Sequence, residues 1–162
     1  MNLWFRLLYQ LLCLPLRSRL GLWQPSNLRL RCWPSDLDIN LHMNNGRFLS
    51  LMDLGRLDLV NRTGLLKTML RRRWRPILGA AQIRFMKPIG PGQEFRLETR
   101  LLGWEGKWFW MRQAFYLGEK LAAEAFVKAL FLGPGGSIQA DEVLRALGLA
   151  ESSPPLEGLP QL

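Results

Sequence analysis

The sequence predicts an α+β domain in which an antiparallel β-sheet wraps around a central helix. Three observations carry that expectation. Residues 45–60 have helical periodicity and are apolar on most sides, the signature of a buried helix. Four later segments, 79–87, 93–101, 107–117 and 120–132, read as strands separated by tight Gly- and Pro-containing turns. One short strand precedes the helix, at 28–33, so the helix must be covered by chain that follows it.

At 162 residues, the chain is large enough for one domain with a real core. The net charge of +9 favours an acidic or phosphate-bearing partner without choosing among them. The two cysteines, Cys13 and Cys32, form no Cys-x-x-Cys pair, and one histidine cannot build a zinc cluster. A reducing compartment fits this usage. The expected location is cytoplasmic, peripheral to the inner face of a membrane.

Residues 1–25 form the first unit. Leu3, Trp4, Leu7, Leu8, Leu11 and Leu12 make an apolar helical stripe against Asn2, Arg6 and Gln10. The run is too short to span a bilayer and is interrupted by Arg6, Pro15 and Arg17. It reads either as a helix packed on the domain or a second subunit, or as an interfacial membrane helix. Residues 26–135 form the main domain. In its first strand Leu28, Leu30 and Cys32 alternate with Arg29, Arg31 and Trp33, and Pro34 ends it. Asn44 or Asn45 caps the following helix, whose Phe48, Leu51, Met52, Gly55 and Leu59 share a face. Asp58 and Arg62 are spaced to pair on it, and Asp53 and Asp58 read either as surface ion-pair partners or as rival catalytic carboxylates. Residues 61–78 look irregular, with Arg71, Arg72, Arg73 and Arg75 around Trp74 as a basic loop or a landing site for phosphates.

Among the strands, 79–87 places Ala81, Ile83 and Phe85 on one face. Phe95, Leu97, Thr99 and Leu101 point inward from 93–101. Segment 107–117 is aromatic on both faces, which predicts cover by the core on one side and by another subunit on the other. The alanines of 120–132 would let a helix press close. Residues 136–162 add a short helix near 141–147 and a Pro-rich tail.

The chemistry concentrates in Asp36-Leu37-Asp38-Ile39-Asn40-Leu41-His42-Met43-Asn44-Asn45-Gly46-Arg47-Phe48, which holds the only histidine. In an extended segment, Asp38, Asn40 and His42 would share one side. The stretch ends where a helix begins, so free backbone N–H groups would meet a bound ligand there. A carboxylate, amides, an imidazole and an oxyanion site suit attack on a carbonyl. The plainer reading, a helix cap with an isolated histidine, uses the same residues. No Gly-x-Ser-x-Gly elbow, Walker loop or Gly-x-Gly-x-x-Gly is present.

This segment closely resembles the active-site segment of hotdog-fold acyl thioesterases. It is similar to the Asp-x-Asn-x-His-x-Asn-Asn run of plant acyl-carrier-protein thioesterases, to the 4-hydroxybenzoyl-CoA thioesterase-like group, and to small membrane-associated thioesterase-superfamily proteins. The helix and four later strands extend the likeness over residues 26–132. The resemblance implies a hotdog fold and hydrolysis of acyl thioesters, with acyl-CoA preferred over acyl-carrier-protein as substrate. It implies Asp38 as catalytic carboxylate, Asn40 and His42 as positioning and polarising groups, and the amides near Asn44, Asn45 and Gly46 as the oxyanion site. Asp36 is the turn former beside them. It implies no metal and no bound cofactor, and a homodimer or tetramer of dimers with an acyl tunnel at the subunit interface. Nucleic acid is not an expected partner. The later acidic and cysteine residues of the plant enzymes have no counterpart near Pro88-Ile89, which favours a mechanism centred on Asp38. The alternatives are a hotdog enoyl-CoA hydratase, whose Pro and second Asp are replaced here by Leu41 and Asn44, and a non-catalytic acyl-CoA-binding or membrane-associated module.

Overall fold

The computed structural model describes residues 2–13 and 16–162. Pro15 lies outside the described residues, as do the side chains of Leu3 and Leu11 in the apolar stripe. Helix α1 covers Asn2–Cys13 and strand β1 covers Ser26–Arg31. The central helix α2 is Asn45–Arg62, followed by α3 at Leu65–Arg72 and β2 at Arg75–Phe85. Strands β3 (Glu94–Glu105), β4 (Trp108–Leu117) and β5 (Lys120–Gly133) form a meander. A short β6 (Gly136–Ile138) and helix α4 (Ala140–Ala146) complete the order.

The sheet is antiparallel, in the order β1-β3-β4-β5-β2, with β6 paired to β5. Its concave face holds α2. Phe48, Leu51, Met52, Leu54 and Leu59 of α2 are buried in one cluster with Phe95, Leu97 and Leu101 of β3, Phe115 of β4 and Val127 of β5. Alternation in β3 is as expected, with Phe95, Leu97, Thr99 and Leu101 all buried. Ala123 and Ala125 of β5 are fully buried, and α2 also lies close against β3 and β4 at Gly55. A Cβ on Gly55 would run into Thr99 Oγ1, with Gln113 Nε2 at 3.0 Å and Leu97 Cδ2 at 3.1 Å. Gln113 is itself buried, donating to Met52 O at 2.9 Å and Thr99 Oγ1 at 2.9 Å.

Three expectations need correction. Residues 65–72 form helix α3, because Leu65, Thr68 and Met69 fall on one buried face while Arg71 and Arg72 end it. Strand β2 starts earlier than expected, at Arg75, and it is the outer strand beside β5, exposed along most of its length. On the outer face of β4, Trp110 is buried, and Ser153, Pro154 and Leu156 of the tail close on Gly103, the residue in register with it, while Trp108 and Tyr116 stay half-buried. Asp58 is no surface partner. It is 0% exposed, with Arg17 Nε at 2.8 Å, Arg62 Nη1 at 3.6 Å and the Ser26 hydroxyl donating to it. Arg17 comes from far upstream, so helical spacing alone exposed only the weaker of the two ion pairs. Asp53 does pair at the surface, with Arg56.

Candidate functional site

The loop between β1 and α2 is folded back on itself rather than extended. Residues Pro34–Asp36 make a single 3₁₀ turn. Leu37 and Met43 then form an antiparallel bridge, closing residues 38–42 into a small loop. Inside it, Asp38 N–H donates to His42 O at 2.9 Å and Leu41 N–H to Asp38 O at 3.1 Å. Leu41 sits at φ 57°, a left-handed conformation that costs a leucine on the order of 1–2 kcal/mol. The shared side expected for Asp38, Asn40 and His42 assumed extended backbone, and the reversal at Leu41 removes that basis.

Asp36 holds this loop in place. Its carboxylate is 2% exposed and accepts from Trp33 N–H at 2.8 Å and Arg6 Nη2 at 2.6 Å, with Arg47 Nε at 3.6 Å. Its carbonyl accepts from Asn44 N–H at 2.8 Å. The loop is also pinned from below, where Met43 N–H donates to Ile89 O at 2.8 Å. Asp36 is thus more than a turn former: it joins α1, the loop and the first turn of α2. Its charge reaches Cys32 as well. Burial pushes the Cys32 thiol above its ordinary value, Asp36 pushes it further, and Arg6 offsets part of this.

Asp38 is half-buried, and its Oδ1 accepts from Asn40 N–H at 2.9 Å. Asn40 and His42 are exposed. At the start of α2, Asn44 is the N-cap and its Oδ1 accepts from Gly46 N–H at 2.8 Å. Arg47 N–H donates to Asn44 O at 2.8 Å. Asn45 N–H has neither a cap nor a backbone acceptor among the described residues. The structure therefore brings Asp38, Asn40 and His42 into one small loop at the amino end of α2, and leaves Asn44, Asn45 and Gly46 exposed there. Sequence reasoning missed Arg6 and Arg47 as the supports of this loop. Arg6 lies 30 residues from its partner, and no local spacing announces such a pair.

Beside α2 lies a mostly apolar cavity of about 430 Å³. Its lining includes Ser50 and Asp53 of α2 and Leu65 and Met69 of α3. Phe109, Met111 and Phe131 of the sheet, Ile77 of β2 and Val143 and Leu144 of α4 also line it. Among the described residues, no group of three or more His, Cys, Asp or Glu side chains is placed to hold a metal ion.

A polar, helix-capped loop beside an apolar cavity, inside a sheet of order β1-β3-β4-β5-β2, defines the class: a hotdog-fold protein built like the acyl thioesterases. The match with the thioesterase-like superfamily covers residues 32–146, and the chain belongs to that family. Protein THEM6 of Danio rerio is 31% identical over 97 residues, which cover 60% of this chain and 46% of that protein. The chain thus spans about half the length of the curated relatives it matches. The probable thioesterase YbaW of Escherichia coli superposes with a TM-score of 0.70 at 17% identity, covering 75% of this chain and 95% of that one. SAV2348 of Staphylococcus aureus, solved in complex with CoA, superposes with a TM-score of 0.65 at 14% identity, covering 89% and 94%.

Proposed function

We propose that this protein hydrolyses acyl thioesters, with acyl-CoA as the preferred substrate, and that Asp38 is the catalytic carboxylate. The observation that carries the reading is the placement of Asp38: a half-buried carboxylate held by its own loop at the amino end of α2. Family membership and the CoA complex of SAV2348 support the substrate class.

In this mechanism Asp38 takes a proton from water, and the hydroxide attacks the thioester carbonyl. The oxyanion forms at the end of α2, where Asn45 N–H is free and the helix dipole favours negative charge. Gly46 N–H is engaged by its own cap, so it contributes to the helix end rather than directly to the oxyanion. Collapse breaks the C–S bond, and the CoA thiolate recovers the proton from Asp38. Asn40 and His42 orient the water and the carbonyl. The cavity volume suits an apolar acyl group. We infer a homodimer joined along β2, because an eleven-residue outer strand with exposed Ile77, Leu78 and Phe85 is an open template for another strand.

The test is thiol release from a panel of acyl-CoAs, beside Asp38→Asn and His42→Ala. The expected result is release that falls about 10²–10⁴-fold in Asp38→Asn. Release that survives Asp38→Asn would sink the mechanism. Water addition to an enoyl-CoA without thiol release would favour the hydratase, and tight binding without turnover the binding module. Ile77→Arg should convert a dimer into a monomer by light scattering; a wild-type monomer refutes the β2 pairing.

A further inference from the structure

Helix α1 has two unlike sides, and both are accounted for by position. Arg6 and Leu7 face the domain. Arg6 Nη2 donates to Asp36 and to Arg31 O at 2.7 Å, and Leu7 lines the apolar cavity with Leu22, Leu57, Val60 and Leu66. Trp4, Phe5, Leu8, Tyr9 and Leu12 lie on the opposite side at helical spacing. They are exposed, Trp4 by 75%, Tyr9 by 72% and Leu12 by 69%, and Leu16 just beyond the helix is exposed too.

A buried ion pair fixes this orientation. The helix cannot roll its apolar side onto the domain without withdrawing Arg6 from Asp36. The outer side is thus presented to whatever lies outside. It carries no charge among its described members, and it combines aliphatic groups with a Trp and a Tyr, whose rings are amphipathic and favour a membrane–water boundary. At 12 residues α1 is roughly 18 Å long, short of a bilayer core, so it suits the plane of an interface. The chain supplies the complementary charge, +9 overall, for anionic headgroups.

We propose that α1 seats the protein on an anionic phospholipid surface through Trp4, Phe5, Leu8, Tyr9 and Leu12. Because Leu7 on the other side of the same helix lines the cavity, docking sets a wall of that cavity against the membrane. A lipid-borne acyl thioester would then meet the cavity at the surface where it resides. The docking claim does not depend on the hydrolase reading; only its link to substrate entry does.

Co-sedimentation with phosphatidylcholine vesicles, with and without phosphatidylglycerol, tests it. The full chain is compared with Trp4→Gln/Leu8→Gln/Leu12→Gln, which keeps helix-favouring residues at exposed positions. The expected result is binding to the phosphatidylglycerol vesicles that weakens with added salt and falls at least about tenfold in the triple variant. Near-UV circular dichroism confirms that the variant keeps its fold. Three results overturn the proposal: no sedimentation of the wild type, undiminished sedimentation of the folded triple variant, or loss of oligomers in that variant without vesicles and with unchanged vesicle binding, which would make the face a contact between copies. Thiol release on soluble acyl-CoA, measured in parallel, reports on the hydrolase separately.

Discussion

Asp36 and Asp38 stand two residues apart, and their replacement should fail in opposite ways. Asp36→Ala removes a carboxylate that is 2% exposed and that binds Arg6, Arg47 and Trp33 N–H. It strands Arg6, whose Nη1 is already buried without a hydrogen-bond partner among the described residues. Breaking a buried ion pair from one side costs about 3–5 kcal/mol, which for a domain of this size lowers Tm by about 6–20 °C. Asp38→Asn retains an Oδ1 that can still accept from Asn40 N–H, so stability should change by less than about 0.5 kcal/mol. Thiol release should nevertheless fall by about 10²–10⁴-fold. Thermal unfolding followed by circular dichroism and thiol release under one buffer measure both. A stable Asp36→Ala protein, or an Asp38→Asn protein that unfolds early, would show that the two roles are assigned to the wrong residues.

Two further outcomes follow from the packing. Gly55→Ala should destabilise by about 1–2 kcal/mol, overpacking against Thr99 and Gln113 outweighing the gain in helix propensity. Adding Thr99→Ala should cost less than the sum of the single changes, which a double-mutant cycle by urea unfolding would read; strict additivity would deny the contact. Cys32 is 1% exposed with its thiol pushed up by burial, so a thiol reagent should modify it only in denaturant. The same shift stabilises the fold fully below the unfolded thiol's pKa. That contribution is lost as pH rises through the raised folded value, so urea midpoints should decline on the alkaline side more in the wild type than in Cys32→Ala.

Much of this architecture was legible because it rests on local periodicity. The alternation of Phe95, Leu97, Thr99 and Leu101 and the apolar faces of residues 45–60 report burial directly. What escaped was set by distant chain. Residues 65–72 looked irregular because Arg71 and Arg72 end a short helix whose buried face is only Leu65, Thr68 and Met69, packed against chain that lies elsewhere in the sequence. Asp58 looked like a surface residue because its strongest partner, Arg17, lies on the upstream segment. The polar loop was recognisable by residue type, but its reversal at Leu41 was not: leucine gives no warning of a positive φ. Ser153, Pro154 and Leu156 close on Gly103 beside the outer face of β4, from a tail whose composition says only that it is not helical.

The strand order also dictates when the loop can take shape. Strands β3, β4 and β5 are neighbours joined by tight hairpin turns, so the meander closes at small entropic cost. Strand β1 has no partner until β3 exists, since Ser26 pairs with Thr99 and Arg31 with Glu94. The loop that carries Asp38 hangs between β1 and α2, and Met43 waits for Ile89. On the ribosome the polar loop therefore emerges early but is among the last parts to be fixed, and contacts of such long sequence separation slow folding. Substitutions in the β3–β4 hairpin should delay the appearance of a competent loop even where they leave the finished protein unchanged.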